Sequence, residues 1–186
     1  MRPKIKKMTL DELEDNFQMV DKQEQVLYVG RGRTWFLNQH GVFNYAGYCP
    51  SGNDTIFSPC GMHSMSLQMG VVENIKSSSY LPPGWAKDVF AFVAQYTNVE
   101  WGLTMEKDGG RARLFTNHEY DAVKKIGNAN TAWWVHSHPF CQGPYLSDRD
   151  RENANRFGGY HVLFYNGQFI NFNYDGFYGD WRPTLW

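Results

Sequence analysis

Ala132-Trp133-Trp134-Val135-His136-Ser137-His138-Pro139, followed after a short loop by Ser147-Asp148-Arg149-Asp150, is the stretch whose reading decides the fold of this chain. The apolar run ending in His-x-His reads as a strand. A strand places residues i and i+2 on one face, so the His136 and His138 imidazoles point the same way. Ser147 is a good N-cap for a helix running to about Arg156, and Gly158-Gly159 stop it. Asp150 then lies in the first helical turn and can return to the histidines once the loop has turned. Two imidazoles and a carboxylate are donors that suit a catalytic zinc ion with one open position. Asp148 is the rival carboxylate, although the helix dipole alone accounts for an acid there.

Working outward, regular structure is expected from about residue 85. Residues 85–97 read as a helix, with Trp85, Val89, Phe92, Val93 and Tyr96 on one face. Val99 to Met105 reads as a strand, Asp108-Gly109-Gly110 as a hairpin turn, and Ala112 to Phe115 as the return strand. His118 to Lys125 is expected to form a short helix. Tyr160 to Tyr165 and Gln168 to Asn173 pair across Asn166-Gly167, a strong hairpin signal. The aromatic tail from Asp175 is expected to pack on the domain.

Upstream the signal changes. Residues 9–28 read as an amphipathic helix, with Thr9 and Glu12 as a capping box and a stripe of Leu10, Leu13, Phe17 and Val20. Residues 33–84 are rich in glycine, serine and asparagine with scattered aromatics. They read as irregular and close with the linker-like Ser77 to Gly84. The expected division is therefore a leader or N-terminal helix over 1–32, an irregular extension over 33–84, and a regular domain over 85–186. Six aromatics in the extension, among them Trp35 and Tyr48, are too many for a solvated tail. The extension is expected to fold against the domain and to be able to cover its cleft, with Cys49, Cys60 or a histidine near the metal.

The composition narrows the function. A formal charge of −1 over 186 residues gives no case for nucleic acid. No apolar stretch approaches the roughly 20 residues needed to span a bilayer. The basic N-terminus lacks the apolar core of a Sec signal peptide. Three cysteines without CxxC spacing argue against a cysteine-only metal site. Cys49–Cys60 is the easy disulfide pair. The H-x-E and P-C-x-x-C signature of nucleobase deaminases and the HExxH helix of zincins are both missing.

The His-Ser-His-Pro segment with Ser-x-x-Asp resembles the JAMM zinc metallopeptidases, also called JAB or MPN+. His136 and His138 match that family's histidine ligands, Pro139 the proline that follows, and Ser147 and Asp150 its Ser-x-x-Asp. Glu100, in Val99-Glu100-Trp101-Gly102-Leu103, is similar to the family's early glutamate, with the glycine two residues on rather than three. The resemblance covers about residues 85–174. It implies an α/β fold, a central mixed sheet flanked by helices in a cytidine-deaminase-like sandwich, preceded by the N-terminal extension. It implies Zn2+ held by His136, His138 and Asp150, with Glu100 as general base. Ser147 would help hold the oxyanion, although a plain N-cap fits the same position. The activity implied is hydrolysis of a peptide or isopeptide bond in a peptide or protein substrate.

Met8 to Gly30 resembles the short leaders of secreted Bacteroidetes peptides and toxins, which suggests a bacterial toxin or effector exported by a non-Sec route. Glu106 and Glu73 remain alternative bases, and Cys141 is read as a group beside the metal or as a thiol blocking its open position. Two other functions stay open on the same scaffold: a catalytically silent binding module, and another zinc hydrolase such as an amidase.

Overall fold

Strand pairing around the two histidines organises the molecule. The computed structural model describes residues 32–49, 51–77, 80–124 and 127–180. The amphipathic stretch at 9–28 and the end of the aromatic tail lie outside them. Four short strands come first: β1 (Gly32–Leu37), β2 (Phe43–Cys49), β3 (Asp54–Phe57) and β4 (Ser64–Leu67). Helix α1 (Val71–Ser77), strand β5 (Tyr80–Leu81) and helix α2 (Pro83–Tyr96) follow. The remainder is β6 (Trp101–Glu106), β7 (Ala112–Thr116), β8 (Thr131–Ser137), α3 (Asp148–Arg156), β9 (Tyr160–Tyr165), β10 (Gln168–Asn173) and β11 (Gly176–Asp180).

The strands form two mixed sheets, so the protein is α/β. The first has the order β2-β1-β3-β4 and the second β11-β10-β9-β8-β6-β7-β5. Within the large sheet β8 runs antiparallel to β6 and parallel to β9. The β9–β10 hairpin turns through Asn166 (φ 48°) and Gly167 (φ 77°). Both are left-handed, as a type I′ turn requires. The tail contributes β11, which pairs with β10.

Residues 32–81 are more regular than their composition suggests. Their strands bury one side only: Trp35, Leu37, Phe43, Ile56 and Leu67 turn inward, while Phe36, Tyr45 and Tyr48 stay exposed. The inward set joins Val71, Val72 and Ile75 of α1 and the apolar face of α2 in one core that continues into β6, β8 and β9. The fully buried Asp54 carboxylate ties this layer together. It accepts from the Arg33 and Gly70 N–H groups, each at 2.9 Å.

The β1–β2 turn braces the strand that leads into the site. Asn98 N–H donates to the Gln39 carbonyl at 2.8 Å, and Phe43 meets Trp101 edge-on at 6.5 Å. Gly41 adopts φ 76°, and a Cβ there would press on the Trp101 ring at 2.9 Å. Only glycine meets both demands without strain.

The expected helix at 118–125 does not form among its described residues. His118 sits at φ 60°, and its N–H donates to Thr116 Oγ1. That left-handed step breaks a helix at its first residue. The segment instead runs as a loop past the site, where the Glu119 carbonyl accepts from the Glu100 N–H at 2.9 Å.

Candidate metal centre

The register of β6 against β8 brings the proposed residues together. Gly102 opposes His136. Stepping two residues outward on both strands sets Glu100 opposite His138 on the same face. The pairing is completed by side chain where backbone pairing stops: Trp101 N–H donates to the buried Ser137 Oγ at 3.0 Å. The Glu100 carbonyl accepts from Thr116 Oγ1 at 2.7 Å, and His138 N–H donates to the Phe164 carbonyl at 3.1 Å. Both backbones are thus fixed at the sheet's end.

His138 is 9 % exposed and Glu100 6 %. His138 Nε2 lies 3.7 Å from Glu100 Oε1 and 3.9 Å from Asp150 Oδ2. His136 Nε2 lies 3.4 Å from Asp150 Oδ1. His138 Nδ1 is 3.2 Å from the Gly143 carbonyl. A carbonyl only accepts, so Nδ1 carries the proton and the Nε2 lone pair faces the cluster.

Asp150 is held by the start of α3. Ser147 and Asp150 form a reciprocal capping box. The Ser147 N–H and hydroxyl both donate to Asp150 Oδ2, at 2.9 and 2.6 Å. Ser147 Oγ accepts from the Asp150 N–H at 3.2 Å. The cap that satisfies the helix therefore also aims the carboxylate. Asp148, one residue into the helix, is exposed and lies outside the cluster.

The electrostatics separate the carboxylates. Burial pushes the Glu100 carboxyl up to about 8, helped by the negative charges of Asp150 and Asp121 and opposed by hydrogen bonds from Gln142 and the Val123 N–H. For Asp150, burial pushes upward, but His136, the Ser147 hydrogen bonds and His138 outweigh it and the net direction is down. Burial lowers the pKa of His138 and favours its neutral form, with Asp150 and the Gly143 carbonyl opposing. One carboxylate is thus kept ionised beside the imidazoles while the other holds a proton readily.

One donor atom each from His136, His138 and Asp150 lies within 4.8 Å of the others, so this cluster can bind a metal ion. Bonds of about 2.0–2.1 Å in a tetrahedron put neighbouring donors about 3.4 Å apart, which is the His136–Asp150 separation. Residues 84–155 match the family model described as JAB-like toxin 1. This stretch is similar to that family's JAB-like domain. Glu100, His136, His138, Ser147 and Asp150 all fall inside it. No curated protein and no solved structure matches the chain.

A cleft of about 330 Å3 opens over the cluster. Its floor includes Gly102, Thr104, Trp134, His161 and Phe172, and its rim Asp121, Gln142, Tyr145 and Arg149. Gly102 makes room for the floor, because a Cβ there would overlap the Phe115 ring. Gln142 and Asp121 join the site without any mark in the sequence. Both sit in loops without periodicity, and nothing local marks them. Gln142 bonds the Glu100 carboxylate and donates to the Tyr120 carbonyl at 2.9 Å, joining the two loops across the base. His161, read as structural, does bond the Phe157 carbonyl at 2.8 Å, and it lines the cleft as well.

Several expectations need correction. No residue from 32–81 lines the cleft, so the described part of the extension does not cover it, although Gln39, Pro59 and Cys60 share a neighbouring cavity with His138. Glu73 pairs with Arg33 of β1, and Glu106 lines a different cavity. Cys49, Cys60 and Cys141 are all free thiols. Cys141 bonds the Tyr120 hydroxyl and does not line the cleft.

The double role of Ser147 gives a first expected outcome. Ser147→Ala keeps the backbone donor to Asp150 but loses the hydroxyl, at a cost of about 0.5–2 kcal/mol in stability. Metal affinity should fall about 10–100-fold, as it does when a group orienting a ligand is removed. Thermal melting and competition with a chromogenic chelator read the two effects separately. Unchanged affinity in a folded variant would show that the hydroxyl does not orient Asp150.

Proposed function

We propose that this chain is a zinc-dependent metallopeptidase of the JAMM type that hydrolyses a peptide or isopeptide bond in a delivered, toxin-like context. The observation that carries this reading is the buried Glu100 carboxylate beside His138, at the mouth of a cleft built over two imidazoles and an ionised aspartate. His136, His138 and Asp150 are the residues that would hold the ion. When bound there, zinc supplies Lewis acidity, acidifying water and polarising a carbonyl.

The chain's own groups supply the rest. Glu100 takes the proton of the attacking water and returns it to the leaving amine. Ser147 holds Asp150 in place, and its hydroxyl would serve a developing oxyanion only by turning its one proton away from Asp150 Oδ2. Gln142 fixes the Glu100 carboxylate in orientation. The cleft walls shield the reacting groups from bulk water.

A protein target follows from the peptidase reading, and the match to a toxin family supports secretion or delivery. Among the described residues no helix is long and apolar enough to cross a membrane.

The test is hydrolysis by the full chain of two probe sets, quenched-fluorescent peptides and lysine isopeptides. Activity should vanish with a zinc chelator and return on adding zinc. A zinc-loaded protein that cleaves neither set but hydrolyses simple amides would make it an amidase. A folded protein that binds no zinc would make it a binding module.

A further inference from the structure

A second cavity of about 250 Å3 lies on the same side of the large sheet as the metal cluster, toward the β6–β7 turn. It is lined by Tyr80, Thr104, Glu106, Arg111, Arg113, Gly127, Asn128 and Thr131, and Thr104 also lines the cleft. The register explains the shared wall. Arg113 opposes Thr104, Thr104 opposes Trp134, and Gly102 opposes His136 two residues away. Side chains two apart share a face, so Arg113, Thr104 and Trp134 stand on the face that carries His136.

Arg113 is unusually placed for a cation. Its guanidinium carbon lies 5.6 Å from the centroid of the Tyr80 ring, which backs it from β5. Its Nε is buried without a hydrogen-bond partner. None of the ion pairs among the described residues involves Arg113 or Arg111. Two arginines face one glutamate, leaving the cavity net positive. A buried N–H donor left unpaired is costly, and an incoming acceptor relieves that cost. The planar guanidinium fork matches a carboxylate in two-point contact.

We infer that the Arg111–Arg113 cavity is a carboxylate-binding subsite that takes an acidic group of the substrate a short distance from the bond cleaved. This rests on the peptidase reading of the cleft. Strand geometry sets the distance: two strand spacings and two residues separate Arg113 from His136, about 12 Å between backbones. An extended peptide covers that in about three to four residues. The carboxylate can come from an acidic side chain or from a free carboxy-terminus, and these two sources are separable.

The experiment uses the full chain as purified and three alanine-rich pentapeptides. The first is capped at both ends and carries one glutamate. The second is the same peptide with glutamine. The third carries glutamine and has a free carboxy-terminus. Binding is measured by calorimetry, with mass spectrometry confirming that the peptides stay intact. The first or third peptide should bind at least tenfold more tightly than the second, and which of them does so names the source. Arg113→Met should erase the preference, and Arg113→Lys should keep part of it. Arg111→Met, at an exposed position, serves if Arg113→Met does not fold. Equal binding of all three peptides, or a preference that survives loss of either arginine, overturns the subsite. Failure of the peptidase reading shows separately, as carboxylate binding intact in a protein that never hydrolyses a peptide.

Discussion

The His136→Ala, His138→Ala double variant is expected to purify without zinc, whereas the unaltered chain carries it in near-stoichiometric amount by elemental analysis. Only Asp150 of the cluster would remain, and a single carboxylate does not hold zinc at neutral pH against buffer and water. The fold should survive. His136 is only partly buried, and the His138 backbone stays anchored through its N–H to Phe164. Circular dichroism confirms that point. If zinc stoichiometry persisted in a folded double variant, the ligand set would be wrong, and Asp148 with Glu100 would become the donors to examine.

Glu100→Gln is expected to leave zinc in place and to lower turnover by about 10²–10⁴-fold, the usual cost of removing a general base. The amide is nearly isosteric and can still bond Gln142, but it cannot accept the proton of the attacking water. Burial works in favour of the substitution. A site that already pushes the carboxyl up to about 8 accommodates a neutral group, so stability should hold or rise slightly. The loss should appear in kcat with KM little changed, because the proton moves only in the transition state. Retained turnover in a zinc-loaded variant would shift the role of base to another group, and Asp121 on the cleft rim is then the nearest acid to test.

What the sequence disclosed and what it hid divide along the range of the interactions. Ser147 and Asp150 are three residues apart, so their capping box is legible by eye. The same is true of Asn166-Gly167 between two alternating strands, and of two histidines that must share a face. The smaller sheet was hidden because its order is not local. β1 pairs with β2 but also with β3, in parallel, across the intervening strand. Each strand spans four to seven residues and leaves aromatics such as Phe36 and Tyr45 exposed, so no clean alternation marks it. Propensity misled at 118–124 for a different reason. Helix-compatible residues there are held in a loop by the left-handed turn at His118 and by Glu119 bonding Glu100. Asp121 and Gln142 reach the site only through that tertiary arrangement.

The capping box has a consequence for when the metal is acquired. In small zinc modules the ligands are scattered until the ion gathers them, so ligation and folding are one event. Here the torsions of Asp150 are set by two Ser147 donors and the ring of His138 by the Gly143 carbonyl, all within a chain whose core lies elsewhere. An arriving cation meets an arrangement already frozen, and little of its binding free energy goes into ordering the polypeptide. On the zinc-peptidase reading proposed above, the protein would fold before it meets the ion. Its activity would then follow the supply of metal rather than the history of its folding.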